Sequence, residues 1–231
     1  MSSYKVVAML RVKDAILTIR DCLDSLSRIC DAAVVVDNGS TDGTLEVYKE
    51  YPLVKDVAQT EGFHEGRDKR MAHEMAIKQN PTHILWLDSD ECFPIWFDRK
   101  EMEKLLDKGH VGYKFWLFHF WNNRTQYRVD GKWGSYASVP QLRLWQHQLG
   151  TSFSGAKIHN GLITGLKGPA GCIVDCRDIP LKHYGYADKK KSTEKYQLYT
   201  TIDKETGRNY DHIVNESGIQ VKQWNVKEDR P

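Results

Sequence analysis

The sequence lacks the features that define several large classes of protein. Its 231 residues contain no apolar run near the roughly 18 residues that cross a bilayer. The N-terminus lacks the basic segment and long apolar stretch of a signal peptide. Its 33 basic and 31 acidic side chains nearly cancel, which argues against a strongly basic nucleic-acid binder. Because 40% of the residues are hydrophobic, the chain can still build a sizeable core.

The five cysteines provide no disulfide or zinc framework. Their number is odd, and the spacing of Cys172 and Cys176 has no matching second pair. Reduced thiols are the simpler interpretation, so we expect a cytoplasmic protein. The missing apolar run adds the expectation of no transmembrane segment. The basic run at residues 189–191 favours a solvated face; the alternatives are a mobile lid near a phosphate-bearing ligand and peripheral contact to an anionic membrane.

The first hundred residues alternate between strand and helix patterns. Apolar runs predict four strands, at residues 5–10, 32–36, 54–58 and 83–87. Helical spacing of apolar residues predicts three intervening helices. The first covers about 15–28, the second runs from 40 or 41 to near 52, and the third ends at Asn80. This alternation predicts parallel βαβ units in an α/β sheet. Since ligands of such sheets bind beyond the carboxyl ends of the strands, the loops there are candidate sites.

The second half has a different pattern, with strands predicted at residues 114–121 and 140–146 and a helix at 194–202. No internal repeat or low-complexity tract interrupts it. We therefore expect one domain.

A first polar cluster, VVVDNGSTDGT, occupies residues 34–44. Asp37 follows the second strand, where its carboxylate can accept from a ribose hydroxyl or a base N–H. The alternative is an Asx-turn with a helix cap, which we favour for Ser40 and Asp42. For Asp37 we favour ligand contact.

A second polar cluster, ILWLDSDEC, occupies residues 84–92. In an extended segment Asp88 and Asp90 share one side and Ser89 points to the other. Two carboxylates so close repel one another unless a cation lies between them. Oxygen ligands of this kind suit Mg²⁺ or Mn²⁺, which take their other ligands from phosphates and water.

Together these clusters resemble glycosyltransferase family 2, whose members have the GT-A fold and use nucleotide-diphospho-sugars. VVVDNGSTDGT precedes LWLDSDE by about fifty residues, and GFHEGRDKRMAHEMA between them resembles the family's glycine, basic-residue and helix element. RLWQHQLGTSFSGAKIHNG and PLKHYGYADKKKSTEKY are similar to the branch that includes lipopolysaccharide-core glucosyltransferases. The resemblance covers roughly residues 5–199.

The resemblance implies a GT-A fold: α/β, with a Rossmann-like, mostly parallel sheet flanked by helices and a smaller mixed sheet on the acceptor side. Within a single domain over residues 1–231, it implies a nucleotide-sugar-binding half at 1–100 and an acceptor-binding half at 101–205. Residues 206–231 would form a tail.

Individual roles follow from the same resemblance. The nucleotide sugar is expected to contact Arg11, Asp37, Asn38, Arg67, Arg70, Asp88 and Ser89. The metal ion, Mn²⁺ or Mg²⁺, is expected on Asp88, Asp90 and His183.

The catalytic base is where the sequence departs from the pattern. The related branch has His-Glu where this chain has His159-Asn160. Because an asparagine cannot accept a proton, the candidates are His159 itself and a nearby acid such as Asp130. The other possibility is that the chain is not a standard inverting enzyme.

We therefore expect a metal-dependent hexosyltransferase that moves a sugar from a nucleoside-diphosphate donor, with UDP as the leading nucleotide, to a hydroxyl of a glycan or glycolipid acceptor with inversion. One alternative is a nucleotidyltransferase, but its glycine-rich loop is absent from AMLRVKDA after the first strand. The other is a catalytically idle sugar-nucleotide or glycan-binding module, which Asn160 keeps open.

Overall fold

The computed structural model describes residues 4–130, 140–155, 163–169, 171–204 and 208–225. The helices in these ranges are α1 (Ile19–Ile29), α2 (Thr44–Tyr48), α3 (Glu65–Ile77), α4 (Arg99–Leu106) and α5 (Lys189–Ile202). The strands are β1 (Val6–Val12), β2 (Ala32–Asp37), β3 (Val54–Gln59), β4 (His83–Asp88), β5 (Glu91–Cys92), β6 (Gly112–Trp121), β7 (Gln126–Arg128), β8 (Pro140–Gln146), β9 (Ser152–Phe153), β10 (Ile163–Thr164), β11 (Ile173–Tyr186) and β12 (Val221–Gln223). Within these ranges, no helix combines the length and apolar character of a membrane-spanning segment.

One ten-stranded sheet runs through both predicted halves of the chain. Its main path has the order β12-β7-β6-β8-β4-β1-β2-β3, with β11 beside β6 and β5 beside β11. The four predicted strands of the first half, β1 to β4, are mutually parallel, as the strand-helix alternation indicated. Strand β8 is antiparallel to both β4 and β6, and thereby joins the two halves. A separate pair, β9 and β10, forms a small antiparallel sheet.

The central strand β1 is buried on both faces. Val6, Ala8 and Leu10 pack into a core that includes α1 and α4, whereas Val7 and Met9 face a second core that includes α3. A strand covered on both sides has a continuous apolar sequence, which is why residues 5–10 predicted a strand so clearly.

Three helix starts differ from the predicted ones. Helix α2 begins at Thr44, three or four residues later than predicted. Helix α1 begins at Ile19 because the preceding residues form a turn, in which the N–H groups of Thr18 and Ile19 both donate to Ala15 O, at 2.9 and 2.8 Å. Helix α5 begins five residues earlier than predicted, at Lys189. The carboxylate of Asp188 accepts from Lys191 N–H at 2.8 Å and so caps its first turn.

The strand register brings the polar loops to one edge of the sheet. Arg11 lies opposite Asp88 where β1 meets β4, and Val12 lies opposite Asp37 where β1 meets β2. Strand β11 pairs with β5 and places His183 opposite Glu91. The carboxyl end of the parallel strands therefore faces residues from the second half of the chain.

Candidate active site

A cavity of about 1320 Å³ opens at this edge of the sheet. Its walls come from the loop after β1, the turn after β4, the end of β11 and one face of α5. The volume exceeds the roughly 300–1,000 Å³ of an ordinary small-molecule site, so two ligands can be accommodated. Of the predicted site residues, six line it: Arg11, Asn38, Asp88, Ser89, Asp90 and His183.

The loop after β2 holds the loop after β1 in place. Three successive N–H groups of the β1 loop, those of Asp14, Ala15 and Ile16, donate to side-chain oxygens of Ser40, Thr44 and Asp42 at 2.8 to 3.0 Å. The polar motif at residues 34–44 therefore accepts hydrogen bonds from backbone N–H groups, as expected for Ser40 and Asp42. These N–H groups belong to the neighbouring β1 loop as well as to the motif's own turn.

Asp37 does not line the cavity, in contrast to the ligand contact that we favoured for it. Its side chain is fully buried, and its carboxylate accepts from Ser40 N–H, Ser40 Oγ–H and Tyr48 Oη–H at 2.6 to 2.9 Å. The carboxylate therefore shapes the loop. The adjacent Asn38 faces the cavity and donates from Nδ2 to Asp68 Oδ2 and Thr60 Oγ1.

Arg67 and Arg70 are also absent from the cavity wall. The Arg67 guanidinium binds Asp68 at 2.8 Å and donates to the carbonyl oxygens of Glu61 and Gly62. It thereby fixes the loop that leads into α3. Arg70 is exposed on α3, near Gly155.

Strand β4 ends at Asp88, and the next two residues form a turn. The extended geometry that would separate Ser89 from the two aspartates therefore does not continue past Asp88, and all three residues line the cavity. Asp88 Oδ2 accepts from Arg143 Nη2 at 3.0 Å. The same Nη2 donates to Glu91, whose side chain is fully buried.

Charge around Arg143 sets the protonation of these acids. Burial would raise the pKa of Asp88, but Arg143, with Arg11 and Lys69, outweighs burial and keeps that pKa below its usual value. Burial raises the pKa of Glu91 to about 8, and the neighbouring carboxylates of Asp88 and Asp90 add to that rise against the effect of Arg143. Asp88 is therefore the charged acid of the pair at neutral pH.

Asp90 has a different neighbour at each oxygen, an ammonium at Oδ2 and an imidazole at Oδ1. Its Oδ2 accepts from Lys195 Nζ on α5 at 3.2 Å. Its Oδ1 lies 3.6 Å from His183 Nε2 and is buried without a hydrogen-bond partner among the described residues. Burial would raise the pKa of Asp90, but Lys195 and His183 hold it well below its usual value.

Gly185 provides the space in which these groups meet. A Cβ at this position would lie 2.5 Å from His183 Cε1, 2.6 Å from Asp90 Oδ2 and 2.6 Å from Lys195 Nζ. Any larger residue would therefore displace at least one of the three groups.

A second histidine, His119, contacts the ring of His183. The Nδ1 atoms of His119 and His183 are 2.9 Å apart, so one ring donates to the other. Burial lowers the pKa of His183 to about 4, against the effect of Asp90, and burial also holds the pKa of His119 well below its usual value. When the neutral His183 donates from Nδ1 to His119, its lone pair is on Nε2 and is available to a ligand; in the opposite tautomer Nε2 carries the proton.

Of the two candidate bases, only Asp130 lies in the described part of the chain, and it does not line the cavity. Asp130 forms a two-point ion pair with Arg128, at 2.8 and 2.6 Å, and this pairing keeps the pKa of Asp130 below its usual value. A carboxylate so engaged is a poor proton acceptor. His159 and Asn160 lie outside the described residues, so the assignment of His159 stays a prediction.

Sequence reasoning missed Arg143 and Lys195, the two cations that bind the aspartates. A signal existed for Arg143, because it alternates with apolar residues on a strand predicted to be half-buried. For Lys195 the sequence offered only a helical pattern, since its contact depends on how α5 packs over the sheet edge.

The profile of glycosyl transferase family 2 matches residues 12–158 of this chain, well over half of its length. The chain belongs to this family. Its fold is the GT-A fold that the sequence motifs predicted.

Solved structures of S. aureus TarS are similar to this chain. The TarS crystal structure has a TM-score of 0.55 at 16% identity and covers 90% of this chain, which spans 41% of that protein. TarS 1-349 scores 0.51 at 16% identity over 91% of this chain and 69% of its own. TarS 1-349 in complex with UDP scores 0.50 at 17% identity over 92% and 70%. No curated protein sequence matches the chain.

Proposed function

We propose that this protein is a metal-dependent glycosyltransferase that moves a hexose from a UDP-linked donor to a hydroxyl of a glycan or glycolipid acceptor, in the cytoplasm and with inversion. The observation that carries the proposal is Asp90 Oδ1, a buried carboxylate oxygen with no hydrogen-bond partner in the described ranges, beside His183 Nε2 in the wall of a large cavity. The TarS structure that holds UDP supports the choice of nucleotide.

The residues present fit a divalent cation. Carboxylate oxygens of Asp88 and Asp90 with the imidazole of His183 form a donor set that Mn²⁺ or Mg²⁺ accepts. Within the described part of the chain, no three His, Cys, Asp or Glu side chains are grouped so that they could hold a metal ion by themselves. This suits an ion whose remaining ligands come from the donor's phosphates, and such an ion neutralises the charge of a leaving diphosphate.

The protein's own side chains supply the rest of the electrostatics. Arg11 stacks over Phe63, with its guanidinium carbon 4.2 Å from the ring centre, and its Nη1 is buried with no partner among the described residues. Its position at the end of β1 suits contact with the nucleotide. Lys69 lies near the ring of Trp86 and pairs with Glu65 at 2.7 Å, adding positive charge beside Asp88.

The reaction forms one bond and breaks one. An oxygen of the acceptor hydroxyl attacks the anomeric carbon, while the bond from that carbon to the phosphate oxygen breaks and its electrons leave with UDP. The hydroxyl proton passes to a base, for which His159 is the proposed residue.

The first test compares the wild type with Asp90→Asn. Isothermal titration of UDP in the presence of Mn²⁺ should show about 100-fold weaker binding for the variant, because it loses a charged ligand. Circular dichroism should show the same fold. Asp56→Asn, which removes an exposed carboxylate on β3, is the matched control and should bind as the wild type does.

The second test measures release of UDP from a panel of UDP-sugars with and without Mn²⁺. Manganese-dependent release supports the proposal. Consumption of pyrophosphate together with the sugar nucleotide would indicate a nucleotidyltransferase instead. Binding of UDP-sugars with neither reaction would indicate an idle binding module.

A further inference from the structure

Lys195 occupies one side of the carboxylate that we assign to the metal. Its ammonium is 3.2 Å from Asp90 Oδ2 and 5.0 Å from the centre of the Tyr186 ring. Gly185 leaves the space for this contact. The Lys195 side chain is only partly buried, and it reaches into the cavity from α5. Asp90 therefore already has a monovalent partner.

An ammonium and a divalent cation compete for the same carboxylate. Like charges a few ångströms apart repel strongly in a partly desolvated site. Asp88 cannot take up the ammonium and the divalent ion together, because its Oδ2 already accepts a hydrogen bond from Arg143 at 3.0 Å. Binding of a divalent ion at Asp90 thus favours departure of the Lys195 ammonium.

The cavity offers the displaced ammonium an anionic destination once a donor is bound. A lysine side chain carries its charge on a flexible four-carbon stem, so it can move without moving the helix. The ligand that brings negative charge to this cavity, under the proposed function, is a nucleoside diphosphate.

We propose that Lys195 is an exchangeable counter-ion of Asp90: it holds the carboxylate before the donor arrives, and it moves to the donor's diphosphate when the metal ion binds. This inference rests on the proposed function. The exchange is ionic, with no covalent bond formed or broken. One ammonium leaves Asp90 as one divalent cation arrives.

The test measures affinity for Mn²⁺ alone and for UDP with Mn²⁺ by isothermal titration. Lys195→Met keeps the apolar stem and removes the charge, and Lys195→Gln is a second variant in case the first folds poorly. Lys190→Met removes the same charge from an exposed position on the same helix and is the matched control. Melting temperatures confirm that each variant is folded.

Without nucleotide, Lys195→Met should bind Mn²⁺ about tenfold more tightly than the wild type, because the competing cation is gone. With Mn²⁺ present, it should bind UDP about tenfold more weakly, because the diphosphate loses a charged contact. Lys190→Met should match the wild type in both measurements.

Two results would overturn the inference. Binding of Mn²⁺ alone that is no tighter in Lys195→Met and Lys195→Gln would exclude competition at Asp90. Unchanged affinity for UDP would exclude the transfer to the diphosphate. If UDP binds to none of the proteins, the proposed function fails, and the Mn²⁺ comparison still decides whether Lys195 competes for Asp90.

Discussion

Gly185 is the residue on which the geometry of the aspartate site depends most directly. Its neighbours in space are a carboxylate, an ammonium and an imidazole, contributed by three different segments of the chain. The backbone at this position does not require glycine for its conformation, since its φ lies outside the left-handed region. The glycine is therefore needed for space.

We expect Gly185→Ala to weaken the site and, modestly, the fold. The added methyl group lies 2.5 Å from a ring carbon of His183 and 2.6 Å from both Asp90 Oδ2 and Lys195 Nζ, so at least one of these atoms must shift, at a cost of about 1–3 kcal/mol of stability. Affinity for UDP with Mn²⁺ should fall at least as clearly as the melting temperature. Gly155→Ala is the control, since its Cβ meets only the flexible end of Arg70 at 3.4 Å. Equal binding by both variants would refute this account.

The positions of single residues also show which parts of the site could be predicted from the sequence. It placed Arg11, Asn38, Asp88 and Asp90 at one site because strand ends of a parallel sheet gather at one edge, and the family resemblance added His183; all five line the cavity. It could not reveal that the carboxylate of Asp37 accepts a hydrogen bond from Tyr48 on α2, because that contact depends on where the Tyr48 hydroxyl points.

Among the elements, α5 connects the second half of the chain to the site. Helix α5 carries Lys191, whose Nζ lies 3.3 Å from Asp14 O in the β1 loop, and one turn later Lys195. The sequence predicted only the later part of this helix, because its apolar pattern is weak. The polar start depends on the cap at Asp188, whose side chain accepts a hydrogen bond from a backbone N–H.

Removing this cap should affect both stability and binding. Asp188→Ala should cost about 1 kcal/mol, because a backbone donor of the first turn loses its acceptor. Affinity for UDP with Mn²⁺ should fall severalfold as the turn that carries Lys191 loosens.

Two further variants isolate the effect. Asp188→Asn keeps a capping oxygen and should restore both properties, which separates loss of the cap from loss of charge. Asp98→Ala removes the equivalent cap of α4, where Asp98 accepts from Glu101 N–H at 3.1 Å, and should cost similar stability without changing affinity. Loss of affinity in Asp98→Ala would show that the effect is global.

For the whole molecule, the single sheet explains why the fold was easier to predict than the site. Local patterns were enough for the parallel half, since each βαβ unit joins neighbours in sequence. The contact between Asp88 and Arg143 depends on β8 inserting between β4 and β6, fifty-five residues along the chain from the aspartate. Pairings of that separation leave no periodic signal in the sequence.

Buried histidines give the molecule a shared sensitivity to acid. Burial lowers the pKa values of His73 and His83 to about 4 each, below the ordinary 6.5. The folded state therefore binds fewer protons than the unfolded state at intermediate pH. The stability that these neutral rings contribute is complete above pH 6.5 and decreases as the pH falls towards 4.

Substitution of one ring should reduce this sensitivity by a measurable amount. His73 lies on α3, packs edge-on against Phe153 and faces Thr151 Oγ1 at 3.4 Å. His73→Gln keeps a polar side chain that does not titrate, so it should be less stable than the wild type at pH 7.5 through lost packing. At pH 5 the gap in unfolding free energy should narrow by on the order of 2 kcal/mol, because only the wild type must keep a ring neutral there. Urea unfolding at both pH values measures the gap, and a gap of equal size would show that His73 does not contribute to the loss of stability in acid.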